Sequence, residues 1–371
     1  LWSSLGLICP VFGLGIFRNP MRLSDFDYLL PPELIAQHPA ATREASRLMH
    51  VDSRLAKIST GRFRDIADYF SAGDLLVIND TRVRPARLLG HKESGGQVEL
   101  LLLRRLAGIA EDWFCLRRSS RPLRVGGRLN FPGGLTAQVL EGEAQEHIRV
   151  RFNYEGDFEA LLDQVGHLPL PPYIRRADTL ADRERYQTVF ARHPGALAAP
   201  TAGLHFTEEI FAQLRGQGVE IVSLTLHVGL GTFLPVRVDT IREHRMHAET
   251  YDIPPGTAQA VNRAKAEGRR VIALGTTAAR TLETAVNDQG HLMADCGESE
   301  IFIYPGFRFR MLDGLVTNFH LPKSTLLMLV SALAGRELIL KAYRRAIDRG
   351  FRFFSYGDCM LILPSADESR F

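Results

Sequence analysis

Between Ala86 and Phe152 the chain breaks into six short apolar runs: Ala86–His91, Val98–Arg104, Trp113–Arg117, Arg128–Phe131, Leu135–Leu140 and His147–Phe152. Turns rich in glycine or acid separate them, among them Gly95-Gly96, Gly126-Gly127 and Pro132-Gly133-Gly134. Six strands so close together cannot alternate with helices, and closing on themselves is the simplest way to leave no open edge. A small antiparallel β-barrel is expected.

The text on either side has a different rhythm. Asp74–Ile78 is an apolar strand, and Thr207–Gly216 reads as a helix followed by the strand Val219–Leu226. Thr257–Gly268 (helix), Arg270–Leu274 (strand) and Thr277–Asn287 (helix) repeat the alternation, and Ser324–Ala334 is a helix capped by its opening serine. Phe351–Phe354 and Met360–Leu363 read as strands around the polar turn Ser355–Asp358. The fold class is therefore α/β: a layered α/β/α domain formed by residues 21–80 and 154–371, with the barrel, residues 81–153, inserted into it. A chain of 371 residues is long enough for two such units. The Pro- and Arg-rich stretch 154–200 returns the chain to the first unit.

Residues 1–17 carry no charge and Arg18 follows them, the reverse of a secretory leader. We expect translation to begin at Met21 and residues 1–20 to add nothing to function. The longest apolar run after them, Leu326–Gly335, is too short for a bilayer, and the four scattered cysteines form no CxxC pair. A cytoplasmic protein without a disulfide framework or cysteine-rich zinc site is expected.

Net charge is only +3, but residues 82–128 hold eleven Lys and Arg against four Asp and Glu, a net of +7 that leaves −4 for the rest. A basic barrel on a mildly acidic body suits a phosphate backbone, or is a solvated surface. Other motifs leave similar choices. Asp80 and Arg82 close a buried strand, where α/β sheets gather ligands, or belong to an Asx turn. His205 stands before a helix that Thr207 can cap, either for proton or anion handling or as structure. Gly229 and Gly231 permit close backbone approach after His227, yet Pro235 and the missing third glycine rule out a dinucleotide fingerprint. His244 and His247 have metal-like spacing but no third ligand, and no metal site is expected. Gly275-Thr276-Thr277 opens a helix where a carboxylate or phosphate would bind, or is an ordinary strand–helix turn. Asn318 and His320 precede another helix, and the polar turn at Ser355 completes the set.

In combination these segments are far more specific. From Met21 onward the chain resembles the S-adenosylmethionine:tRNA ribosyltransferase-isomerase family of queuosine synthesis. The resemblance runs through Met21–Tyr28, Asn79–Arg87, Leu168–Tyr173, Ala199–Phe206, Leu226–Phe233, Gly275–Arg280, Ile301–Gly306, Thr317–Val330 and Arg352–Asp358. Residues 1–20 match nothing in it, and Cys359 stands where an alanine is expected. The resemblance implies an α/β domain carrying a β-barrel. It implies that S-adenosylmethionine donates its ribosyl part to 7-aminomethyl-7-deazaguanine at the tRNA wobble position, giving epoxyqueuosine-tRNA, adenine and methionine. S-adenosylmethionine is then a co-substrate, and no resident cofactor is expected.

That chemistry needs a base for the acidic carbon beside a sulfonium and donors for the leaving adenine and developing oxyanions. On the resemblance, His205, His227 and His320 handle protons, and Asp80 and Arg82 orient the sugar or the donor carboxylate. Thr201, Gly229, Gly231, Thr232, Gly275, Thr276, Thr277 and Asn318 bind S-adenosylmethionine. Phe206, Phe233 and Phe319 either stack on a base or are core. Arg84, Arg87, Arg117, Arg118 and Arg121 of the barrel hold the tRNA anticodon arm. The protein is expected to act as a monomer. A conventional methyltransferase lacks its glycine-rich loop here, since neither Gly13/Gly15 nor Gly229/Gly231 follows an early strand with an acidic residue about twenty positions on. A non-catalytic RNA-binding protein leaves the histidine, aspartate and threonine clusters without purpose.

Overall fold

A computed structural model of the chain describes residues 21–108, 110–142, 146–229, 231 and 235–364. Strands buried along their whole length must be covered on both faces, and this decides the architecture. Leu75–Asn79 and Val271–Leu274 have no exposed residue. They lie side by side and parallel in the middle of a nine-stranded sheet.

The strands outside the barrel are β1 (Arg47–Asp52), β2 (Lys57–Arg62), β3 (Leu75–Asn79), β4 (Thr81–Val83), β11 (His193–Ala196), β12 (Glu220–Leu226), β13 (Glu249–Asp252), β14 (Val271–Leu274), β15 (Cys296–Ser299), β16 (Gly314–Asn318) and β17 (Cys359–Ile362). The barrel supplies β5 (Arg87–Lys92), β6 (Gln97–Arg105), β7 (Asp112–Arg118), β8 (Arg128–Asn130), β9 (Thr136–Glu141) and β10 (His147–Asn153). The large sheet runs β15-β13-β12-β3-β14-β16-β17-β1-β2, and β12, β3, β14 and β16 form its parallel centre.

Alternate residues feed two cores. Leu75 and Val77 of β3 and Val271 and Ala273 of β14 face one side. There they meet α4 (Pro255–Ala266), α5 (Thr276–Thr284), α6 (Thr325–Ala334) and α7 (Arg336–Asp348). Leu76, Ile78, Ile272 and Leu274 face the other, against α3 (Glu208–Gly216) and the 3₁₀ segment Phe63–Tyr69. These are the three layers of an α/β/α sandwich, as the sequence predicts.

The barrel closes in the order β10-β7-β6-β5-β8-β9, with all its neighbours antiparallel. Its strands match the six apolar runs to within a residue or so. Burial alternates along β5, β6 and β10, the period-2 signature of a one-sided strand. Where β5 crosses β8, a Cβ on Gly90 would lie 2.4 Å from the Asn130 carbonyl oxygen, so only glycine fits. Phe158 and Leu162 of α1 (Phe158–Val165) join the barrel core. The barrel strands begin at Arg87; Thr81–Val83 pairs instead with β11 outside the barrel. The remaining helix, α2 (Leu180–Arg185), is anchored by Asp182, whose two oxygens each lie 2.7 Å from an Arg176 nitrogen.

One sequence expectation fails. Phe351–Phe354 is no strand: Phe353 makes a single bridge to Ile35, and Phe354 takes a left-handed turn at φ +70°. Asp358 draws the Arg352 amide back toward itself, and the turn Ser355–Asp358 is buried rather than exposed. Cys359 is fully buried in β17, its thiol donating to the Thr317 carbonyl. Among the described residues, no helix is long and apolar enough to cross a membrane.

Candidate active site

Parallel sheets present their ligands beyond the carboxyl ends of their strands, and β14 and β16 are neighbours in this sheet. The segments that follow them, Gly275–Thr277 and Thr317–Lys323, therefore fall side by side although 40 residues apart in sequence. They wall a cavity of about 580 Å³. Pro172, Tyr173, Tyr186 and Ala198–Ala202 add to the wall, and Leu23, Val228, Pro235, Val236, Ser324–Leu326, Phe354 and Ser355 complete the described lining.

Two helices begin at this cavity. Gly275, at φ +92°, turns β14 into α5 without a side-chain cap, so the helix's first amides and the Thr276 and Thr277 hydroxyls stand at the cavity wall. Thr277 is held from behind, its Oγ1 accepting from Asn79 Nδ2 at 3.1 Å. The start of α6 is capped by Ser324, whose hydroxyl accepts from the Leu327 amide. Helix N-termini attract anions, and none of the described lining residues is a carboxylate. The one lining cation, Lys323, is paired with Asp27 at 2.8 Å.

Asn318 and His320 sit at the end of β16. Asn318 Nδ2 lies 3.1 Å from His205 Nε2 and 3.1 Å from the Phe354 carbonyl oxygen, which leaves Oδ1 buried without a partner. His205 Nδ1 in turn lies 2.8 Å from Ser46 Oγ. If Nε2 accepts from Asn318, Nδ1 carries the proton and donates to Ser46. Burial pushes His205 down to about 4, with Asp358 opposing and Arg352 and Arg43 adding to the effect. Burial alone pushes His320 down to about 3; its Nε2 lies 2.8 Å from Thr317 Oγ1. Both rings are neutral at pH 7 and are weak bases.

Asp80, Thr81 and His227 form a second cluster at the ends of β3 and β12, next to the cavity but not in its lining. The Thr225 hydroxyl donates to Asp80 Oδ1 at 2.7 Å, and His193 Nε2 lies 3.8 Å from Oδ2. His227 Nδ1 lies 2.8 Å from Thr81 Oγ1. Partial burial, then the charges of Arg84 and His193, lower the His227 pKa. Arg82 is exposed, and Asn79, not Asp80, makes the Asx turn, its Oδ1 accepting from the Thr81 amide.

The structure thus brings Thr201, Gly275, Thr276, Thr277, Asn318 and His320 together at one cavity, with His205 one hydrogen bond behind it. It does not bring Arg82, Gly229 or Gly231 into the described lining. The Gly229 amide donates to Glu249, which is ion-paired with the buried Arg280. Thr232 and Phe233 lie outside the described residues. Phe206 is core, packed on Phe63 and Phe211. Phe319 is fully buried among Tyr343, Phe351 and Phe353 while touching the cavity wall. Sequence reasoning missed Tyr173 and Phe354, stacked with ring centroids 4.4 Å apart, and missed Asn79. Only the motifs containing these residues signalled them.

On the barrel, Arg84 and Arg87 are neutralised by Glu159 and Glu99, while Arg117 bonds Ser119 and Arg118 and Arg121 are exposed. Among the described residues, no group of three or more His, Cys, Asp or Glu could hold a metal ion.

A layered sheet with a closed barrel and a ligand cavity at its strand ends puts the chain in the class of α/β enzymes that seat a substrate at the sheet's carboxyl edge. Comparison with known proteins makes the assignment particular. The model of a family described as queuosine biosynthesis protein matches residues 23–362. An S-adenosylmethionine:tRNA ribosyltransferase-isomerase of Syntrophotalea carbinolica is 63% identical over 343 residues, 92% of this chain and 100% of that one. One from Geobacter metallireducens is 58% identical over 342 residues with the same coverage. The crystal structure of an S-adenosylmethionine tRNA ribosyltransferase from Thermotoga maritima aligns with a TM-score of 0.53 at 37% identity, over 92% of this chain and 100% of that chain. The chain belongs to the S-adenosylmethionine:tRNA ribosyltransferase-isomerase family of queuosine biosynthesis.

Proposed function

We propose that this enzyme transfers and isomerises the ribosyl moiety of S-adenosylmethionine onto 7-aminomethyl-7-deazaguanine at the wobble position of a tRNA anticodon arm, releasing adenine and methionine. The cavity at the ends of β14 and β16 is the observation that carries this reading, because the helix N-termini at its wall suit the carboxylate of the donor. The N-terminus of α5, with Gly275, Thr276 and Thr277, receives the methionine carboxylate. Thr201 and Asn318 meet the ribose and adenine, and the stacked Tyr173–Phe354 pair offers a face to a base. His205 and His320, held neutral, add no positive charge beside the sulfonium and serve as hydrogen-bonding groups. His227 is the histidine whose burial is incomplete and whose neighbour Val228 lines the cavity, and it is our choice of base. Asp80 orients the cluster around it.

S-adenosylmethionine is consumed as a co-substrate, with no resident cofactor. We read the enzyme as a cytoplasmic monomer, with Arg118 and Arg121 of the barrel reaching toward the tRNA. The test supplies the full chain with S-adenosylmethionine and tRNA bearing the aminomethyl deazaguanine, and quantifies free adenine and the mass of the modified nucleoside. Adenine release together with a nucleoside heavier by the cyclopentane epoxide is expected. A folded protein that binds the tRNA and yields neither product sinks the reading, and methyl transfer without adenine would point to a methyltransferase.

A further inference from the structure

Behind the cavity, and sharing Ser355 with it, is a small cleft lined by Arg43, Arg185 and Arg352 together with Ser46, His205 and Tyr356. Arginines in a folded protein ordinarily answer to carboxylates, and these three do not. Arg43 donates to the carbonyl oxygens of Leu204 and Glu184, Arg185 to those of Ala40 and Ala41, and Arg352 to that of His38. Arg185 Nε is buried with no partner at all. The nearby acids are already engaged. Asp358 is taken by Arg47 and by the Arg352 amide, and Asp182 by Arg176, Thr179 and the Tyr356 hydroxyl. Glu184 offers Arg43 its carbonyl, with its side chain exposed.

The result is three guanidinium groups around one cleft, each with donors left over. Burial and then the charge of Arg185 lower the Arg43 pKa, with Glu184 opposing, and burial lowers that of His205, with Arg352 and Arg43 adding to it and Asp358 opposing. Like charge around one cleft that is only partly compensated favours the arrival of an anion. The cleft, at about 20 Å³, takes only one or two water-sized groups. It can admit the oxygens of an oxyanion but not a base. Planar guanidinium forks are the groups best matched to phosphate oxygens.

We propose that Arg43, Arg185 and Arg352 form a phosphodiester-binding cleft that grips the RNA backbone next to the nucleotide whose base enters the cavity. This rests on the tRNA-modifying reading above. RNA bases are read by splaying them out of the strand, and a backbone clamp beside the entrance is what holds such a nucleotide in place. The shared wall at Ser355, and the 3.1 Å contact from His205 in the cleft to Asn318 in the cavity, put the two sites one side chain apart. The other anion available is the donor's own carboxylate. A lone carboxylate needs one fork rather than three, and the start of α5 already offers it a place.

The test measures binding of an unmodified anticodon-arm RNA across a salt series, with S-adenosylmethionine binding measured separately by calorimetry. Arg43→Gln, Arg185→Gln and Arg352→Gln are each compared with the Lys replacement at the same position. Each Gln variant is expected to weaken RNA binding and to lower the slope of log K against log salt by about 1, with the Lys variants recovering most of that slope and donor affinity unchanged. Arg352→Gln removes a single carbonyl contact, so it keeps the test sound if the other two fold poorly. An unchanged slope in folded Gln variants overturns the proposal. So does weakened donor binding with the RNA slope intact, because the anion is then the carboxylate. The binding assay needs no turnover: adenine release failing while the slopes shift as expected would remove the assigned reaction and leave the cleft standing, and a parent protein that binds no RNA removes both.

Discussion

Lowering the pH should destabilise this protein through two histidines that burial keeps neutral. His205 sits at about 4 and His320 at about 3, both from burial, against about 6.5 for an unfolded histidine. The native state therefore binds fewer protons than the unfolded chain at any pH between the two values. Stability from this source is complete above pH 6.5 and is lost as the pH falls toward 4 for His205 and toward 3 for His320. At pH 5 an unfolded histidine is about thirty-fold more often protonated than not, while both native rings remain almost wholly neutral; each then costs about 2 kcal/mol, about 4 kcal/mol together. Against a typical total of 5–15 kcal/mol that is a large fraction. Urea unfolding followed by circular dichroism at pH 8 and pH 5 measures the loss. Other histidines and carboxylates titrate as well, so the decisive quantity is the difference between parent and variant. His205→Gln and His320→Gln should each remove about 2 kcal/mol of the loss between pH 8 and pH 5, whatever they do to stability at pH 8. If either variant loses as much stability as the parent over that interval, the ring it replaces is not held neutral and the reasoning fails. The same numbers bear on catalysis: neither ring titrates near pH 7, so an inflection there in kcat/KM belongs to another group.

Three further outcomes follow from packing. Gly275→Ala forces a side chain onto a backbone at φ +92°, where the added Cβ has room, 3.6 Å from Thr277 Oγ1, so strain rather than collision destabilises it by about 1 kcal/mol; a lower Tm and weaker S-adenosylmethionine binding are expected by calorimetry, and unchanged donor affinity would separate this turn from the donor site. Asp182→Asn leaves Arg176 without its bidentate partner and disturbs the Thr179 and Tyr356 bonds, with an expected loss of about 3 kcal/mol in urea unfolding, and a loss near zero would show that the pair adds nothing. Gly90→Ala drives a methyl group to 2.4 Å from the Asn130 carbonyl and 2.5 Å from the Phe131 ring, and should destabilise the barrel by about 1–3 kcal/mol, read by hydrogen exchange along β5 and β8.

The barrel was legible because its strands carry their own signal. Burial on one face makes apolar residues alternate, and glycine turns mark each end, so β5–β10 stand out without knowledge of their partners. The sheet's rim was not legible. β13 and β15 read Glu-Thr-Tyr-Asp and Cys-Gly-Glu-Ser, too short and polar to suggest strands, and Glu249 is buried in β13 only because Arg280 of α5 meets it. β1 and β2 form a hairpin whose outer strand is mostly polar, and α7 carries Arg336, Lys341, Arg344 and Arg345 among the apolar residues that join the main core. Phe351–Phe354 deceived in the opposite direction, since four apolar or basic residues in a row describe a strand equally well as an irregular segment pinned by Asp358.

The site was half legible for a related reason. Helix entrances such as Gly275–Thr277 and Ser324–Thr325 announce themselves through local capping chemistry, so they could be found one at a time. Their convergence depends on strand order, because β14 and β16 are neighbours only once the sheet is assembled. Folding also redistributes the charge that is left unpaired. Sequence counting and the family resemblance together gave the barrel's arginines the tRNA-holding role; folding pairs Arg84 with Glu159 and Arg87 with Glu99 and leaves Arg118 and Arg121 exposed. Arg43, Arg185 and Arg352 belong to three segments that no count would group, and folding places them around one cleft facing only carbonyl oxygens. Cationic residues that remain without carboxylates after folding, rather than those dense in the sequence, are the ones free to meet a phosphate, which is why our proposal sets the RNA backbone at the cavity's edge.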